Sequence, residues 1–336
     1  MSALLTGQGR AMGIGLLSGG LDSILAVKVL QDQGLDLLGI TFETPFFEAG
    51  PGLDAGRAAG IRMLVLDLSI KHLAMLRRPV YGFGSNMNPC IDCHALMLRE
   101  AGRLMEQEGG DFLFTGEVLG QRPMSQRRDS LRSVEKLSGY VGRILRPLSA
   151  RLLPPTIAEE QGLVDRERLL DIQGRSRKRQ IELIGHYGIT DYPQPGGGCL
   201  LTKEGFSQKL KHLLQTYPEA GPREVELLKW GRHFGLPHGG LLVIGRNRSD
   251  NEKLESLAKE EDLLLRVIDH PSPIGLIPEI SGAAEEDLML AGLILLTYSD
   301  APPSQSVKVH WKRRRESGAL LQTKAASREH FTAYQL

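Results

Sequence analysis

Apolar runs alternate with segments of helical spacing through the first half of the chain. This alternation is typical of a parallel β-sheet wrapped by helices. Each run is short and leads into a more polar stretch, as expected for a buried strand followed by a helix. The runs that we interpret as strands lie at residues 12–17, 37–42, 62–68 and 111–115.

Helical spacing follows the first of these runs directly. Leu21, Ile24, Leu25 and Val29 recur at the period of an amphipathic helix, which we expect to pack one face onto the sheet. Residues 95–105 predict another helix. The expected fold class is therefore α/β, a parallel sheet with helices on both faces.

Proline and glycine interrupt the pattern at residues 191–198 and again at 218–222. Beyond the second interruption, strands at 241–244 and 263–268 and a helix from Glu285 predict a smaller α+β domain. The expected layout is a first domain at residues 1–205, a linker at 206–221, a second domain at 222–318 and a tail at 319–336.

The composition is that of a globular protein, with 41% hydrophobic and 24% charged residues, which excludes disordered, collagen-like and fibrous chains. The longest nearly apolar stretch, 288–296, is far shorter than the ~18 residues of a membrane span, and no basic-then-apolar leader opens the chain. The 3 cysteines are too few for a disulfide framework. We expect a soluble, cytoplasmic protein without a membrane partner.

The net charge of +1 favours no particular partner, but the basic residues are clustered. Residues 122–151 carry eight basic and two acidic side chains, and residues 307–336 carry seven and two. Such patches can bind a polyanion such as RNA through its phosphates. The alternative is two solvated basic surfaces.

A glycine-rich loop, Ser-Gly-Gly-Leu-Asp-Ser at residues 18–23, separates the first predicted strand from the first helix. Glycines let the backbone approach an anion, and a helix N-terminus offers unpaired amide donors to phosphate. Asp22 is suited to holding Mg²⁺ there. Walker A is excluded because the chain has no Gly-Lys dipeptide, and the spacing does not fit the dinucleotide-binding pattern.

This loop resembles the PP-loop of the N-type ATP pyrophosphatases, which cleave ATP between the α and β phosphates and adenylate a carbonyl oxygen. An ordinary glycine turn is the alternative. The resemblance implies ATP and Mg²⁺ as cofactors. The nucleotide-binding residues that it implies are Ser18, Gly19, Gly20, Asp22, Ser23, Thr41, Gly116 and Gln121.

A Cys-Ile-Asp-Cys-His segment at residues 90–94 allows several interpretations. Its spacing is that of c-type haem attachment, a chemistry found outside the cytoplasm. A zinc site needs four ligands, and beyond Cys90 and Cys93 only Cys199 and a histidine such as His94 are available. The thiolates of Cys90, Cys93 and Cys199 can instead hold a 4Fe-4S cluster with one iron open to substrate. Exposed structural thiols are a further alternative.

Two segments resemble tRNA thiolation enzymes. Asn88-Pro89 followed by Cys93 is similar to a segment of tRNA 2-thiouridylases, and Thr-Gly-Glu-Val-Leu-Gly-Gln at 115–121 is similar to one of tRNA 4-thiouridine synthetases. Cys90 stands where the persulfide-type 2-thiouridylases usually carry an aspartate, which points to the cluster-dependent branch. The match covers roughly residues 10 to 205. The catalytic residues that it implies are Asp22, Cys90, Cys93 and Cys199, the cysteines also serving as the metal ligands.

The second domain resembles the R domain of the NFACT family, which is associated with RNA binding, over about residues 222–315. The residues that carry this resemblance are Gly245, Arg246, Asn247, Asn251, Asp262, Leu263, Val267, Asp269, His270 and Pro271. Leu264 and Arg266 stand where that family commonly has tryptophan and histidine. Residues 312–315 beside Trp311 suit a phosphate backbone with one stacking platform, or form a solvated basic tail.

The expected function is an ATP-dependent tRNA uridine thiolase that forms 4-thiouridine at tRNA position 8, with tRNA as substrate and a sulfide or a cysteine desulfurase as the sulfur source. The alternatives are 2-thiouridine synthesis at tRNA position 34, a PP-loop amidating or ligating enzyme with structural zinc, and a non-catalytic RNA-binding factor. The oligomeric state stays open, with a homodimer as one option.

Overall fold

The computed structural model describes residues 11–190, 192, 199–282, 284–303, 305–314, 316–322 and 325–336. The chain forms two compact units, Met1–Cys199 and Leu200–Leu336. The glycine triplet that precedes Cys199 and the basic residue Arg315 lie outside the described residues. In the described part of the chain, no helix is both long and apolar enough to cross a bilayer.

The first unit contains a sheet of five parallel strands, and the four strands predicted from the apolar runs are confirmed. The strands are β1 (Met12–Leu16), β2 (Asp36–Glu43), β3 (Arg62–Asp67), β4 (Phe112–Thr115) and β5 (Ile144–Leu145). Their order across the sheet is β3-β2-β1-β4-β5. Strand β5 was not predicted, because two residues are too few to form a recognisable pattern.

Helices cover both faces of this sheet, as predicted. They are α1 (Leu21–Gln31), α2 (Gly50–Ala59), α3 (Ser69–Arg77), α4 (Cys90–Glu108), α5 (Arg128–Ser138), α6 (Ile157–Glu160) and α7 (Lys178–Tyr187). One core lies between the sheet and helices α1, α2 and α7. The opposite core lies between the sheet and helices α4 and α5.

Small residues alternate with a large one along strand β1, and they leave room for the aromatic side chains of the neighbouring strand β4. Ile14 faces the core under α4, whereas Gly13 and Gly15 lie against the rings of Phe112 and Phe114. A Cβ atom at Gly15 would stand 2.1 Å from the Phe114 ring, so no larger residue fits there. In open α/β sheets, ligands bind beyond the carboxyl ends of strands at the point where the strand order reverses. Here that point lies between β1 and β4.

The spacing of apolar residues predicted that helix α1 buries one face. In the structure, the helix is buried on several faces. Ala26 and Val27 are as fully buried as Leu25, because α2 and α7 both pack against α1 in addition to the sheet. The helix is therefore held on several sides, and its N-terminal end opens toward the crevice beyond β1 and β4.

The second unit contains a six-stranded antiparallel sheet. Its strands are β6 (Arg232–Gly235), β7 (Leu241–Ile244), β8 (Leu263–Val267), β9 (Gly275–Ile277), β10 (Val307–Arg313) and β11 (Glu316–Gln322). Their order is β11-β10-β8-β9-β7-β6. The helices of this unit are α8 (Glu204–Thr216), α9 (Pro222–Leu227), α10 (Arg248–Leu257) and α11 (Glu285–Thr297). The strands predicted near residues 241 and 263 and the helix from Glu285 are confirmed.

Helix α11 packs on one face of this sheet, against inward residues of β8 and β10 such as Leu265 and Val309. Two parts of the expected tail at 319–336 form regular structure instead: β11 continues to Gln322, and a 3-10 segment, Arg328–Tyr334, buries Phe331. The pattern conceals these elements because their apolar residues are short runs among polar ones.

Candidate active site

The loops after β1 and β4 meet at the start of helix α1. A Cβ atom on Gly116, which directly follows β4, would stand 2.5 Å from the backbone of Asp22 and Ser23. Only glycine allows this approach of two backbones. The predicted site residues Gly116, Asp22 and Ser23 are therefore brought together at the crevice.

The glycine-rich loop leaves the first amide groups of α1 available. Its N-cap residue, Gly20, has no side chain to accept their hydrogen bonds, and its carbonyl accepts from Ser23 N at 3.1 Å and Ser23 Oγ at 2.6 Å. Gly19 adopts a φ of 87°, a left-handed conformation that favours glycine, and Ser18 is exposed. Unpaired amides at a helix N-terminus favour an anion such as phosphate.

A chain of hydrogen-bonded side chains, half-buried at Asp22 and Gln121 and buried at Gln180, holds the carboxylate of Asp22. Gln121 Nε2 donates to Asp22 Oδ2 at 2.7 Å, and Gln180 Nε2 from α7 donates to Gln121 Oε1 at 3.2 Å. Among the described residues, Asp22 Oδ1 and Gln180 Oε1 are buried acceptors without a donor. A buried carboxylate oxygen without a partner is costly unless a ligand satisfies it. Asp22 therefore fits the role of a Mg²⁺ ligand.

Thr41 lies on β2 beside this crevice and is buried. A Cβ atom on Gly52 of α2 would stand 2.1 Å from Thr41 Oγ1 and 2.5 Å from the carbonyl oxygen of Leu17, the residue before the loop. Gly52 thus lies close to both Thr41 and the backbone of Leu17, which leads into the loop. The structure gives it no contact with the reactive groups of Asp22 or Gln121.

Glu117 links the crevice at the start of α1 (the nucleotide crevice) to α4, the helix that carries Cys90 and Cys93 (the cysteine helix). Its carboxylate accepts from His94 Nδ1 at 2.8 Å and from Arg146 Nε at 3.0 Å, and Thr115 Oγ1 donates to it at 3.1 Å. Burial alone would raise the pKa of Glu117, but the charge of Arg146 and the bond from His94 outweigh it and lower the pKa to about 2. The segment 115–121 thus contacts Asp22 through Gln121 and α4 through Glu117.

The three cysteines are close enough to influence one another. Cys90 and Cys93 stand three residues apart on α4, hence on one face of the helix. Burial raises the pKa of the Cys93 thiol, and the charges of Cys199 and Cys90 raise it further. Burial also raises the pKa of Cys90, whose Sγ donates to Asn88 Oδ1 at 2.8 Å. The convergence of the three thiols on one site stays a prediction.

A buried histidine contacts one of these thiols. His72 on α3 is fully buried between the rings of Phe46 and Phe47, and its Nε2 lies 3.2 Å from Cys93 Sγ. Burial lowers the pKa of His72 to about 4, so the ring is neutral and carries one N–H. Its Nδ1 has no partner among the described residues, and we assign the N–H to Nε2, where it donates to the Cys93 sulfur.

Cys90, Cys93 and Cys199 are the side chains that would hold a metal-thiolate group. Three thiolates would repel one another unless a cation compensates their charge, and the N–H of His72 supplies a hydrogen bond to one sulfur, a contact that tunes iron–sulfur clusters. The other candidate ligand, His94, is bound to Glu117 through Nδ1. In the described part of the chain, no three His, Cys, Asp or Glu side chains have the arrangement of a preformed metal site.

Sequence analysis missed His72, Arg146 and Gln180. His72 and Gln180 are single polar residues within ordinary amphipathic helices, and Arg146 looks like one more member of a basic cluster. Arg146 is in fact buried and paired with Glu117 and Glu135. A polar residue on the apolar side of a helix was the one available signal, and alone it does not reveal a partner distant in sequence.

The motif of the second unit is mainly structural. Asn247 Oδ1 accepts from Asp250 N at 2.9 Å at the start of α10, and Asn251 Oδ1 accepts from Ile274 N at 3.1 Å. Asp262 is buried and accepts from Lys259 N at 2.7 Å and Glu279 N at 2.9 Å. These residues hold loops in place, so any RNA contacts must come from other side chains.

Comparison with known proteins supports both parts of the sequence interpretation. The family described as NFACT protein RNA binding domain matches residues 231–335, which confirms the expected R-like domain. A tRNA-specific 2-thiouridylase of Trichlorobacter lovleyi is 33% identical over 121 residues, covering 31% of this chain and 32% of that protein. The match thus spans about a third of that relative's length. A tRNA-specific 2-thiouridylase of Rhodospirillum rubrum is 22% identical over 332 residues, covering 90% of this chain and 81% of that protein.

Solved structures give weaker likenesses. A predicted subunit of tRNA methyltransferase from Methanocaldococcus jannaschii has a TM-score of 0.33 and 14% identity, covering 52% of this chain and 76% of its own. The C-terminal part of a fibronectin/fibrinogen-binding protein from Streptococcus suis has a TM-score of 0.29 and 13% identity, covering 79% and 94%. At scores this low, neither defines the fold or function of this chain. The relationships that stand are the match of residues 231–335 to the NFACT RNA binding domain and the similarity of the chain to tRNA-specific 2-thiouridylases.

Proposed function

We propose that this protein is an ATP-dependent tRNA uridine thiolase. The observation that carries the proposal is the segment 115–121, which joins the Asp22 carboxylate through Gln121 and the cysteine helix through Glu117. One short segment thus connects a loop suited to ATP with thiols suited to sulfur delivery. The similarity to tRNA-specific 2-thiouridylases supports tRNA as the substrate.

In the first step, the loop at residues 18–23 binds the phosphates of ATP, and Asp22 holds Mg²⁺. The uridine carbonyl oxygen attacks the α phosphorus, so that an O–P bond forms while the bond to the β phosphate breaks and pyrophosphate leaves. The hydrogen-bonded chain from Gln180 through Gln121 holds the Asp22 carboxylate in one orientation, which leaves Oδ1 for the cation.

In the second step, sulfur at the −2 oxidation state attacks the activated carbon, the C–O bond breaks, and AMP leaves. No net oxidation occurs when the donor is sulfide. Cys90, Cys93 and Cys199 would hold a 4Fe-4S cluster, which supplies an open iron site for sulfide when it is bound. His72 orients the Cys93 sulfur through its ring N–H.

The product that we propose is 4-thiouridine at tRNA position 8, with sulfide as the sulfur donor. The test is mass spectrometry of nucleosides from tRNA incubated with reconstituted protein, ATP, Mg²⁺ and sulfide. We expect 4-thiouridine and one AMP for each sulfur inserted. The appearance of 2-thiouridine would move the product to the other carbonyl, and the absence of both thionucleosides and AMP would reject the thiolase assignment.

A further inference from the structure

Strand β10 separates its side chains into an apolar and a basic set. Val307 and Val309 are buried, and Trp311 packs against the same core under α11. Because neighbouring residues of a strand point to opposite faces, Lys308, His310 and Lys312 share the other face. Lys308 and Lys312 are exposed there, and His310 is half-buried.

The neighbouring strands keep this face open and add a further cation. His310 pairs with Arg266 on β8, whose side chain is half-exposed, and with Ala319 on β11. Lys312 pairs with Ser317 on β11. Ala319 and Ser317 are small and exposed, so they do not cover the basic side chains. We call Arg266, Lys308, His310 and Lys312 the basic sheet face.

The charges of this face are largely uncompensated. Arg266 forms an ion pair with Glu255 of α10, but among the described residues no ion pair involves Lys308 or Lys312. Lys308 and Lys312 lie about 13 Å apart along the strand, enough to meet several phosphates of a polynucleotide. Trp311, expected to be a stacking platform, lies on the opposite side, where its indole packs over Gly318. The face therefore offers charge rather than base stacking.

We propose that the basic sheet face binds the phosphate backbone of tRNA. The proposal rests on the proposed function, which makes tRNA the substrate, and it identifies the residues of the second unit that bind it. Charge complementarity supports this choice of partner, since the exposed cations of Lys308 and Lys312, which form no ion pair among the described residues, suit a polyanion. Lysines that contact phosphates make the affinity salt-dependent. Each lost contact makes the slope of log affinity against log salt concentration shallower by about one.

The test uses the full-length protein with Lys308 and Lys312 both changed to Gln, which removes charge but keeps the aliphatic stem. The matched control changes Lys203 and Lys211 to Gln, two exposed lysines of the same unit with no ion pair among the described residues. Affinity for tRNA is measured by fluorescence anisotropy from about 50 to 200 mM salt. We expect weaker binding and a slope of log affinity against log salt that is shallower by about two for the first pair only.

The outcomes separate this proposal from the proposed function. Wild-type protein that binds no tRNA would reject both. Wild-type binding with an unchanged Lys308/Lys312 variant would reject the basic sheet face alone. Equal losses in the two variants, or a loss without a change of salt slope, would also reject it, since neither result identifies phosphate contacts at this face. Equal thermal melts for the three proteins would exclude misfolding as the cause of a loss.

Discussion

The nucleotide crevice of the first unit and the basic sheet face of the second are built in opposite ways. In the crevice, buried and half-buried side chains are joined by hydrogen bonds that run from Gln180 through Gln121 to Asp22. On the sheet face, the cations of Lys308 and Lys312 are exposed and form no ion pair among the described residues. Buried polar networks gain strength and precision from a low dielectric, whereas exposed charges gain little individually.

Because of this difference, we expect the crevice to govern ATP chemistry and the sheet face to govern affinity for tRNA. A substitution in the crevice should disturb ATP chemistry strongly and tRNA binding little, because its groups act on a few fixed atoms. A substitution on the sheet face should weaken binding modestly and leave chemistry intact once tRNA is saturating. The predictions below test that separation.

The largest effect is expected at Cys199. Cys199→Ser should lose the whole iron content of the reconstituted protein and its broad absorbance at about 400 nm, as Cys90→Ser and Cys93→Ser should, because the three thiolates share the cluster in the proposed site. Its tRNA affinity should equal that of wild type. Anaerobic reconstitution read by iron analysis and electron paramagnetic resonance measures this. A fully loaded cluster in Cys199→Ser would instead indicate a persulfide carrier.

Asp22→Asn should lower pyrophosphate release with tRNA present by about a hundredfold or more, because the lost charge acts on the metal and phosphates in the transition state. The fold should persist, since Asn keeps the shape of the side chain and its bond to Gln121. Affinity for tRNA should stay within about twofold of wild type. A parallel collapse of tRNA binding would show that the two regions are not separable.

Glu117 should control stability in acid. Its pKa is lowered from 4.5 to about 2, so its contribution is present above about pH 4.5 and is lost as the pH falls toward 2. The shift corresponds to about 3 kcal/mol of stability at neutral pH. Glu117→Gln should therefore lower the free energy of unfolding at pH 7 and flatten its fall between pH 5 and 2, as urea titrations would measure. An unchanged acid profile would contradict the role of the Glu117–Arg146 pair.

The smallest of these effects is expected at Gln180. Gln180→Leu frees Gln121 and should weaken binding of Mg²⁺-ATP about tenfold. Stability should change little, since an unpartnered buried oxygen is lost together with the bond to Gln121. Calorimetric titration and thermal melts measure the two quantities, with the exposed Gln161→Leu as the matched control. Stability lost without any change in nucleotide affinity would assign Gln180 a purely structural role.

The two regions also differ in what their sequences predict. The strands and the glycine loop follow from local pattern and spacing, because a buried parallel strand and a tight helix entry restrict residue types at successive positions. Gly116 was predicted only by the resemblance of residues 115–121 to a segment of tRNA 4-thiouridine synthetases. The bonds from Gln121 to Asp22 and from Gln180 to Gln121 join residues 99 and 59 positions apart. Local pattern has no information about such distances.

On the second unit, the charge run near Trp311 was predicted but its geometry was not. As a solvated tail, residues 312–315 would present all their charges beside the Trp311 indole. Strand β10, Val307–Arg313, instead alternates its side chains, so that Trp311 enters the core while Lys308 and Lys312 stay outside. The pairing partner that settles this, β11, is rich in small and polar residues and gives a weak strand signal.

The central claim is that the uridine carbonyl oxygen is adenylated and then replaced by sulfur. Its most direct test uses tRNA whose target uridine carries oxygen-18 at the reacting carbonyl, incubated with the reconstituted protein, ATP, Mg²⁺ and sulfide. Mass spectrometry of the AMP should find one oxygen-18 atom for each thionucleoside formed, because the C–O bond breaks after the O–P bond has formed. AMP free of the label alongside thiolated tRNA would contradict the account.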